Sequence, residues 1–366
     1  MTTMATSAQS GWQPNWAVAP GEILLEALQD RDMTQSELAQ RLGRPLKTVN
    51  EIIKGKAAIT AETAIQLERA LGISASFWTN LETQYRDTLA RQQAQAELET
   101  QASWADRFPV AELVRYRLIE RGPTKAVTLA NLLSWLGLSS PDAFDRLTGA
   151  AAYRSSPAFT ASPEAVTAWL RWGETQAAAI KASPFDAQRF REILDEIRPM
   201  TRKEPFAQVL TRVQNLCAQG GVIVVLTPEL KGTHLSGAAR WIGSRALIQL
   251  SLRHKSDDQF WFTFFHEAGH ILSGRRRRDF VDAAEDDTDS DADEEASNHF
   301  ARDVLLPPDE YRRFVAAGDF SVAAVRAFAE QQSISPGIVA GRLERDRHVG
   351  PAQLRRLKKP VAFPTG

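Results

Sequence analysis

Three observations predict a mainly α-helical chain with one small β-sheet, an α+β class. Apolar residues recur at helical spacing through the N-terminal and middle parts of the chain. The runs Val222–Leu226 and Ala246–Leu252 are short, rich in aliphatic residues and bounded by polar turns, so they read as strands, with Ala239–Ile242 as a third. An apolar helix then carries His266-Glu267-Ala268-Gly269-His270. The expected division is a helical bundle over 1–80, a helical linker and middle region over 81–205, and a C-terminal α+β domain over 206–366.

At 366 residues the chain is long enough for two or three domains with their own cores. Lys and Arg number 44 against 45 Asp and Glu, so a globally basic nucleic-acid binder is excluded while a local basic face is not. Cys217 is the single cysteine, which leaves no disulfide framework and no cysteine-based zinc site; a small core residue is the expected role. No run of eighteen apolar residues occurs, and the start lacks the charged-then-apolar layout of a signal peptide. These features lead us to expect a cytoplasmic protein with no membrane partner.

The N-terminal elements follow in order. After Pro20-Gly21-Glu22, a helix turns Ile23, Leu24, Ala27 and Leu28 inward. Thr34-Gln35-Ser36-Glu37 has the form of a capping box, Leu38, Ala39 and Leu42 give that helix its apolar face, and Gly43 stops it. Arg44-Pro45 leads into a short helix, Leu46 to Lys54, with Val49, Ile52 and Ile53 inward. Thr60 caps a further helix, Ala61 to Leu71. Two short helices joined by a tight turn inside a bundle of about five have the layout of a helix-turn-helix DNA reader, in a λ-repressor-like bundle. Outward positions of the second helix are Lys47, Thr48, Asn50, Glu51 and Lys54, with Arg44 just before it. Asn can pair with adenine through two hydrogen bonds, and Lys and Arg suit guanine edges or phosphates. The DNA-contacting set is thus Arg44, Lys47, Thr48, Asn50 and Lys54; the structural alternative is a bundle with a solvated charged face.

The stretch from Trp16 to Leu24, through Ile52-Ile53-Lys54-Gly55-Lys56, to Ala75-Ser76-Phe77-Trp78 resembles HigA-type antitoxins, DNA-binding members of the XRE family. That resemblance implies a homodimer on a palindromic double-stranded operator, with a toxin as a possible partner. Pro45 and Leu46 depart from the small or polar residues that often enter an XRE recognition helix.

Leu81 to Trp104 reads as one long helix leading out of this module, and residues 105–205 as helical segments broken at Gly122-Pro123, Ser139-Ser140-Pro141 and Ser183-Pro184. Trp135, Trp169 and Trp172 lie on apolar-periodic segments and are expected to pack in a core. No chemical constellation occurs there; a sensor role is the expectation.

In the HExxH segment two imidazoles four residues apart fall on one helix face and can bind one Zn²⁺, while Glu267 between them can take a proton from a metal-bound water. A small sheet beside such a helix is the zincin arrangement, whose edge strand can hold an extended peptide. A catalytic zinc needs a third protein ligand. The metzincin position is filled by Arg276, so the ligand comes from further along. Glu294 and Asn298 share a face of the helix running to Leu305-Leu306-Pro307, which makes Glu294 a ligand candidate and Asn298 its support; Asp293, Glu295 and His299 compete. His234, Arg240 and His299 are candidates for stabilising an oxyanion. Arg275–Arg278 and the acidic stretch Asp279 to Glu295 read as a solvated segment, with an autoinhibitory element as the functional alternative; the order of a calcium loop is lacking.

Phe262-Thr263 before the HExxH motif, then Glu294-x-x-x-Asn298-x-Phe300-Ala301-x-x-x-Leu305-Leu306-Pro307, resemble the ImmA/IrrE metallopeptidase family over roughly 205–347. The resemblance selects Glu294 as third ligand. It implies a zinc endopeptidase acting on a repressor or antitoxin-type regulatory protein in a stress, prophage or toxin–antitoxin circuit. Manganese or another divalent ion could also fill the site, since affinity order alone does not decide occupancy. Two other readings stand beside it: a non-proteolytic antitoxin whose zinc domain is structural or sensory, and a constitutive peptidase that uses the helix-turn-helix only for docking.

Overall fold

The computed structural model describes residues 18–152, 161–274 and 290–363, and the side chains within 148–152 and 290–291 are outside that description. Arg275–Arg278 and the acidic stretch up to residue 289 therefore lie outside the described residues, as does the start of the HigA-like stretch at Trp16-Ala17. The chain divides into two compact units, Met1–Ala102 and Ser103–Gly366.

The first unit is an all-helical bundle of α1 (Pro20–Gln29), α2 (Gln35–Leu42), α3 (Leu46–Ile53), α4 (Ala61–Leu71) and α5 (Ala75–Thr100). The expected capping box is present: Thr34 Oγ1 accepts from Glu37 N–H at 3.2 Å, and Thr34 N–H donates to the Glu37 carboxylate at 2.8 Å. Each helix turns its apolar stripe inward, so Leu24, Leu28, Leu38, Val49, Ile52, Leu67 and Trp78 share one core. Buried Glu82 joins that core because it accepts from Ile59 N–H at 3.0 Å and from Arg86 at 2.7 Å. The helix expected over Leu81–Trp104 begins earlier, at Ala75, where Ser74 caps it by accepting from Phe77 N–H. It ends at Thr100, and Trp104 lies in a following 3₁₀ turn, Ala102–Arg107. The division expected at residue 80 thus falls inside a continuous helix that Trp78 anchors to the bundle.

The second unit carries α6 (Val110–Arg115), α7 (Lys125–Leu136), α8 (Pro141–Ala152), α9 (Pro163–Ala178), α10 (Ala187–Ile197), α11 (Phe206–Gln219) and α12 (Asp257–Leu272). It also holds a three-stranded sheet: β1 (Val222–Leu226), β2 (Gly237–Ile242) and β3 (Arg245–Leu250), in the order β1-β3-β2. β1 runs parallel to β3, with Val224 opposite Ile248, and β2 antiparallel, with Ala239 opposite Ile248. Both faces are covered, which explains the near-continuous apolar runs. On one face lie α11 (Phe206–Gln219) and α12 (Asp257–Leu272), packed through Val222, Val224, Ile248, Phe264 and Phe265. On the other lies α9 (Pro163–Ala178), where Ala177 meets Ile223, Val225 and Leu247.

α9 binds the middle region to the sheet. Trp169 donates its indole N–H to Thr227 O at 3.3 Å, and the buried Gln249 amide donates to Trp169 O and Thr227 Oγ1, both at 2.7 Å. The 205/206 division expected from sequence therefore runs through one compact unit. Trp169 and Trp172 are buried, in keeping with core packing. After α12 come α13 (Ser290–Leu305), α14 (Pro308–Ala317), α15 (Val322–Gln331) and α16 (Pro336–Arg345). Asp257, in the first turn of α12, accepts from Ser335 Oγ at 2.5 Å and from Lys359 N–H at 2.8 Å, which fixes the start of α12 to α16 and the C-terminal segment. Arg198 donates to the carbonyls of Val304, Leu305 and Gln332 at 2.7–3.1 Å, capping the far end of α13.

Candidate metal centre and nucleic-acid interface

α12 is apolar around most of its surface, with Phe260, Trp261, Phe264, Phe265, Ala268 and Ile271 buried, so it runs through the core of its unit. Its i, i+4 spacing brings the Nε2 atoms of His266 and His270 to 3.0 Å from each other. Glu294, from α13, presents one carboxylate oxygen to each imidazole: Oε2 is 3.3 Å from His266 Nε2, and Oε1 is 3.2 Å from His270 Nε2. One donor atom from each of the three residues lies within 4.8 Å of the others.

The approach of α13 to α12 depends on Gly269. A β-carbon there would stand 3.1 Å from Phe300 Cδ1 and 3.2 Å from Ser297 Cα. Ser297, buried between the helices, has its hydroxyl 3.1 Å from His270 Nδ1 and so fixes the ring orientation. Sequence reasoning passed over Ser297. The available signal was its place three residues after Glu294 and four before buried Ala301, on one helical stripe. Asn298 hydrogen-bonds His266. Of the rival ligand candidates, His299 pairs with Glu295 at 3.2 Å, away from the three-residue cluster.

Electrostatics bind the cluster together. Hydrogen bonds to His266 and His270 hold the Glu294 carboxyl well below the usual carboxylate range. Burial pushes the His266 imidazolium down, but bonding to Glu294 and Asn298 and the nearby Glu267 and Glu294 charges outweigh it, leaving His266 raised. Glu267 is buried and turned toward β2, where a β-carbon on Gly237 would stand 2.7 Å from its Oε1.

Arg240 does not reach this centre. It lies on the opposite sheet face, in register with Leu247, and its guanidinium pairs with Glu174 of α9 at 2.7 Å. That position removes it as an oxyanion donor: a buried guanidinium needs a carboxylate, and Glu174 supplies one. His234 lies 3.7 Å from Glu229 in the loop before β2.

In the first unit, α2 and α3 are joined by Gly43–Pro45. Lys47 and Lys54 are exposed, and Thr48 and Asn50 are half-buried on α3. Lys47 lies 3.8 Å from Glu51. Arg44 is turned onto α4, donating to Gln66 Oε1 at 2.6 Å and lying 3.2 Å from Glu62.

A helical bundle with a two-helix reading element, and a mixed-sheet unit with a His/Glu cluster, define a helix-turn-helix protein that carries a peptidase-like domain. The helix-turn-helix family profile matches residues 24–78, and the peptidase M78 profile, described as an IrrE N-terminal-like domain, matches residues 222–344. Virulence-associated protein I of Dichelobacter nodosus is 37% identical over 22% of this chain and 75% of its own length. Antitoxin HigA-1 of Vibrio cholerae is 36% identical over 22% of this chain and 78% of its own. The solved Pseudomonas aeruginosa antitoxin HigA with the higBA promoter is 35% identical, covering 23% of this chain and 94% of that one, with a TM-score of 0.22. The chain belongs to the XRE-type helix-turn-helix family, with HigA-like antitoxins among its relatives, and bears an IrrE-like peptidase M78 domain toward its C-terminus. Among the described residues no helix is long and apolar enough to cross a membrane.

Proposed function

We propose that this chain is a regulator that reads double-stranded operator DNA as a homodimer through α3 and cuts a peptide bond in a regulatory protein at the His266–His270–Glu294 centre. One observation carries the reading of the centre. Tetrahedral zinc with ligands at 2.0–2.1 Å separates its donor atoms by ~3.3 Å; here the two imidazole Nε2 atoms are 3.0 Å apart, each has one of the two Glu294 carboxylate oxygens at 3.2–3.3 Å, and one donor atom from each residue lies within 4.8 Å of the others. Two imidazoles and a carboxylate are also a donor set suited to zinc and leave a fourth position open.

Zinc held there supplies Lewis acidity toward a peptide carbonyl and makes a water easier to deprotonate. The chain does the rest. Glu267 accepts the proton of the attacking water and passes it to the departing amine. The outer edge of β2, which pairs with no further strand among the described residues, offers main-chain groups to an extended substrate beside Glu267. Ser297 and Asn298 keep the two imidazoles in ligating orientation. On α3, Asn50 reads a base edge while Thr48, Lys47 and Lys54 engage base edges or phosphates.

The test pairs zinc-loaded protein with a Glu267→Gln twin, each incubated with cell lysate whose new protein N-termini are then labelled. Discrete new termini with the first and none with the second, at equal zinc content, support the peptidase. A second reading draws on the likeness to HigA-1: a repressor whose metal domain is structural or sensory. Equal operator and zinc binding by both proteins with no new termini from either supports that one.

A further inference from the structure

α12 and α13 continue beyond the metal-binding side chains to border a cavity. Phe262 stands one helical turn before His266, its ring centroid 6.2 Å from the imidazole and tilted by 30°. Phe262 also lines a cavity of about 340 Å³, whose apolar walls are completed by Leu305, Leu306 and Ile338. That volume lies within the ~300–1,000 Å³ common for ligand sites. One residue thus belongs to both the neighbourhood of the metal centre and the wall of the cavity.

Three of the cations lining the cavity pair with carboxylates of the same chain. Lys358 Nζ lies 2.9 Å from Asp258 Oδ2 and 2.7 Å from Glu344 Oε2, Arg302 lies 3.1 Å from Glu295, and Arg342 lies 2.6 Å from Asp346. The Arg345 guanidinium sits 5.7 Å from the Phe262 ring centroid and holds that ring by cation–π attraction. Arg302 Nε, Asp258 Oδ1 and Glu344 Oε1 are buried without a hydrogen-bond partner among the described residues, so the wall keeps a few polar points, while Phe262, Leu305, Leu306 and Ile338 reward apolar surface.

We propose that this cavity receives a bulky apolar side chain of the substrate, next to the bond that is cut, and so selects the cleavage point. The proposal rests on the peptidase reading of the adjoining centre. Phe262 is the specificity-determining residue, since it lines the cavity and its ring stands 6.2 Å from the His266 imidazole, and Ile338 forms a wall supplied by α16.

The experiment measures binding rather than turnover. Three dipeptide hydroxamates, alike except for a methyl, isobutyl or benzyl side chain, are titrated calorimetrically into the zinc-loaded full-length protein. The isobutyl and benzyl compounds are expected to bind about tenfold or more tightly than the methyl compound. Phe262→Ala should shrink that ratio with zinc stoichiometry unchanged. Ile338→Phe, which fills the cavity from the other side, should shrink it while the methyl compound keeps its affinity. Equal binding of the three compounds, or an unchanged ratio in both folded variants, overturns the cavity assignment and leaves the metal centre standing. No hydroxamate binding at all by zinc-loaded protein overturns the metal reading and the proposal with it.

Discussion

Gly269 of α12 and Ser297 of α13 face each other so closely that a β-carbon at 269 would stand 3.2 Å from the Ser297 Cα. The contact lies beside His270 and three residues from Glu294, so it sets how near the carboxylate comes to the imidazoles. Gly269→Val must part the helices. We expect a loss of ~1–3 kcal/mol in stability from overpacking, together with weaker zinc binding in competition with a chelator. Wild-type zinc affinity in the folded variant would show that Glu294 is positioned by other contacts.

Ser297→Ala should act differently, because it removes one hydroxyl from His270 Nδ1 and adds no bulk. Zinc affinity is expected to fall about 10–100-fold, the usual effect of losing a partner behind a metal ligand. Chemical denaturation should report a change of only about 1 kcal/mol. A large stability loss with unchanged zinc affinity would make Ser297 a packing residue.

Gly237→Ala isolates the proposed base. The nearest neighbours of the added methyl are the Glu267 side chain and Thr263. Zinc content should stay near wild type while cleavage falls by at least about 100-fold, within the usual range for a displaced general base. Parallel loss of zinc and cleavage would count against a separate role for Glu267.

On the DNA side, Asn50→Ala is expected to cost ~1–3 kcal/mol on the operator and to relax sequence preference, and Lys47→Ala to lower the salt slope of binding by about one unit. Arg44→Ala should chiefly reduce the thermal stability of the first unit, because that guanidinium is held by Gln66 and Glu62. Titration of labelled operator at several salt concentrations separates these effects. A full unit lost from the salt slope in Arg44→Ala would place Arg44 on phosphate.

What could be read in the sequence was local. The Thr34–Glu37 capping box, the i, i+4 imidazoles and the three strands each arise from contacts within a few residues or from simple alternation. Proximity of Glu294 to the imidazoles was suggested by motif resemblance, since helical spacing alone left Asp293, Glu295 and His299 in competition. Arg240 was misjudged because its partner, Glu174, is 66 residues away on a helix whose packing no local pattern discloses. The same reason hid the seat of α9 on the sheet, and Arg198, whose carbonyl partners lie more than a hundred residues downstream.

The separation of the ligand residues in sequence has a thermodynamic meaning of its own. His266 and His270 belong to one helix and Glu294 to the next, so an ion gripped by all three joins two distant points of the chain as a cross-link does. Because the unfolded chain does not hold the three side chains together, an ion at a hundred times its Kd would stabilise the folded unit by about 2.7 kcal/mol. Loss of the ion would thus loosen the polypeptide itself as well as silence any chemistry. Metal supply would then govern how long the C-terminal unit survives unfolding and the proteases that follow it.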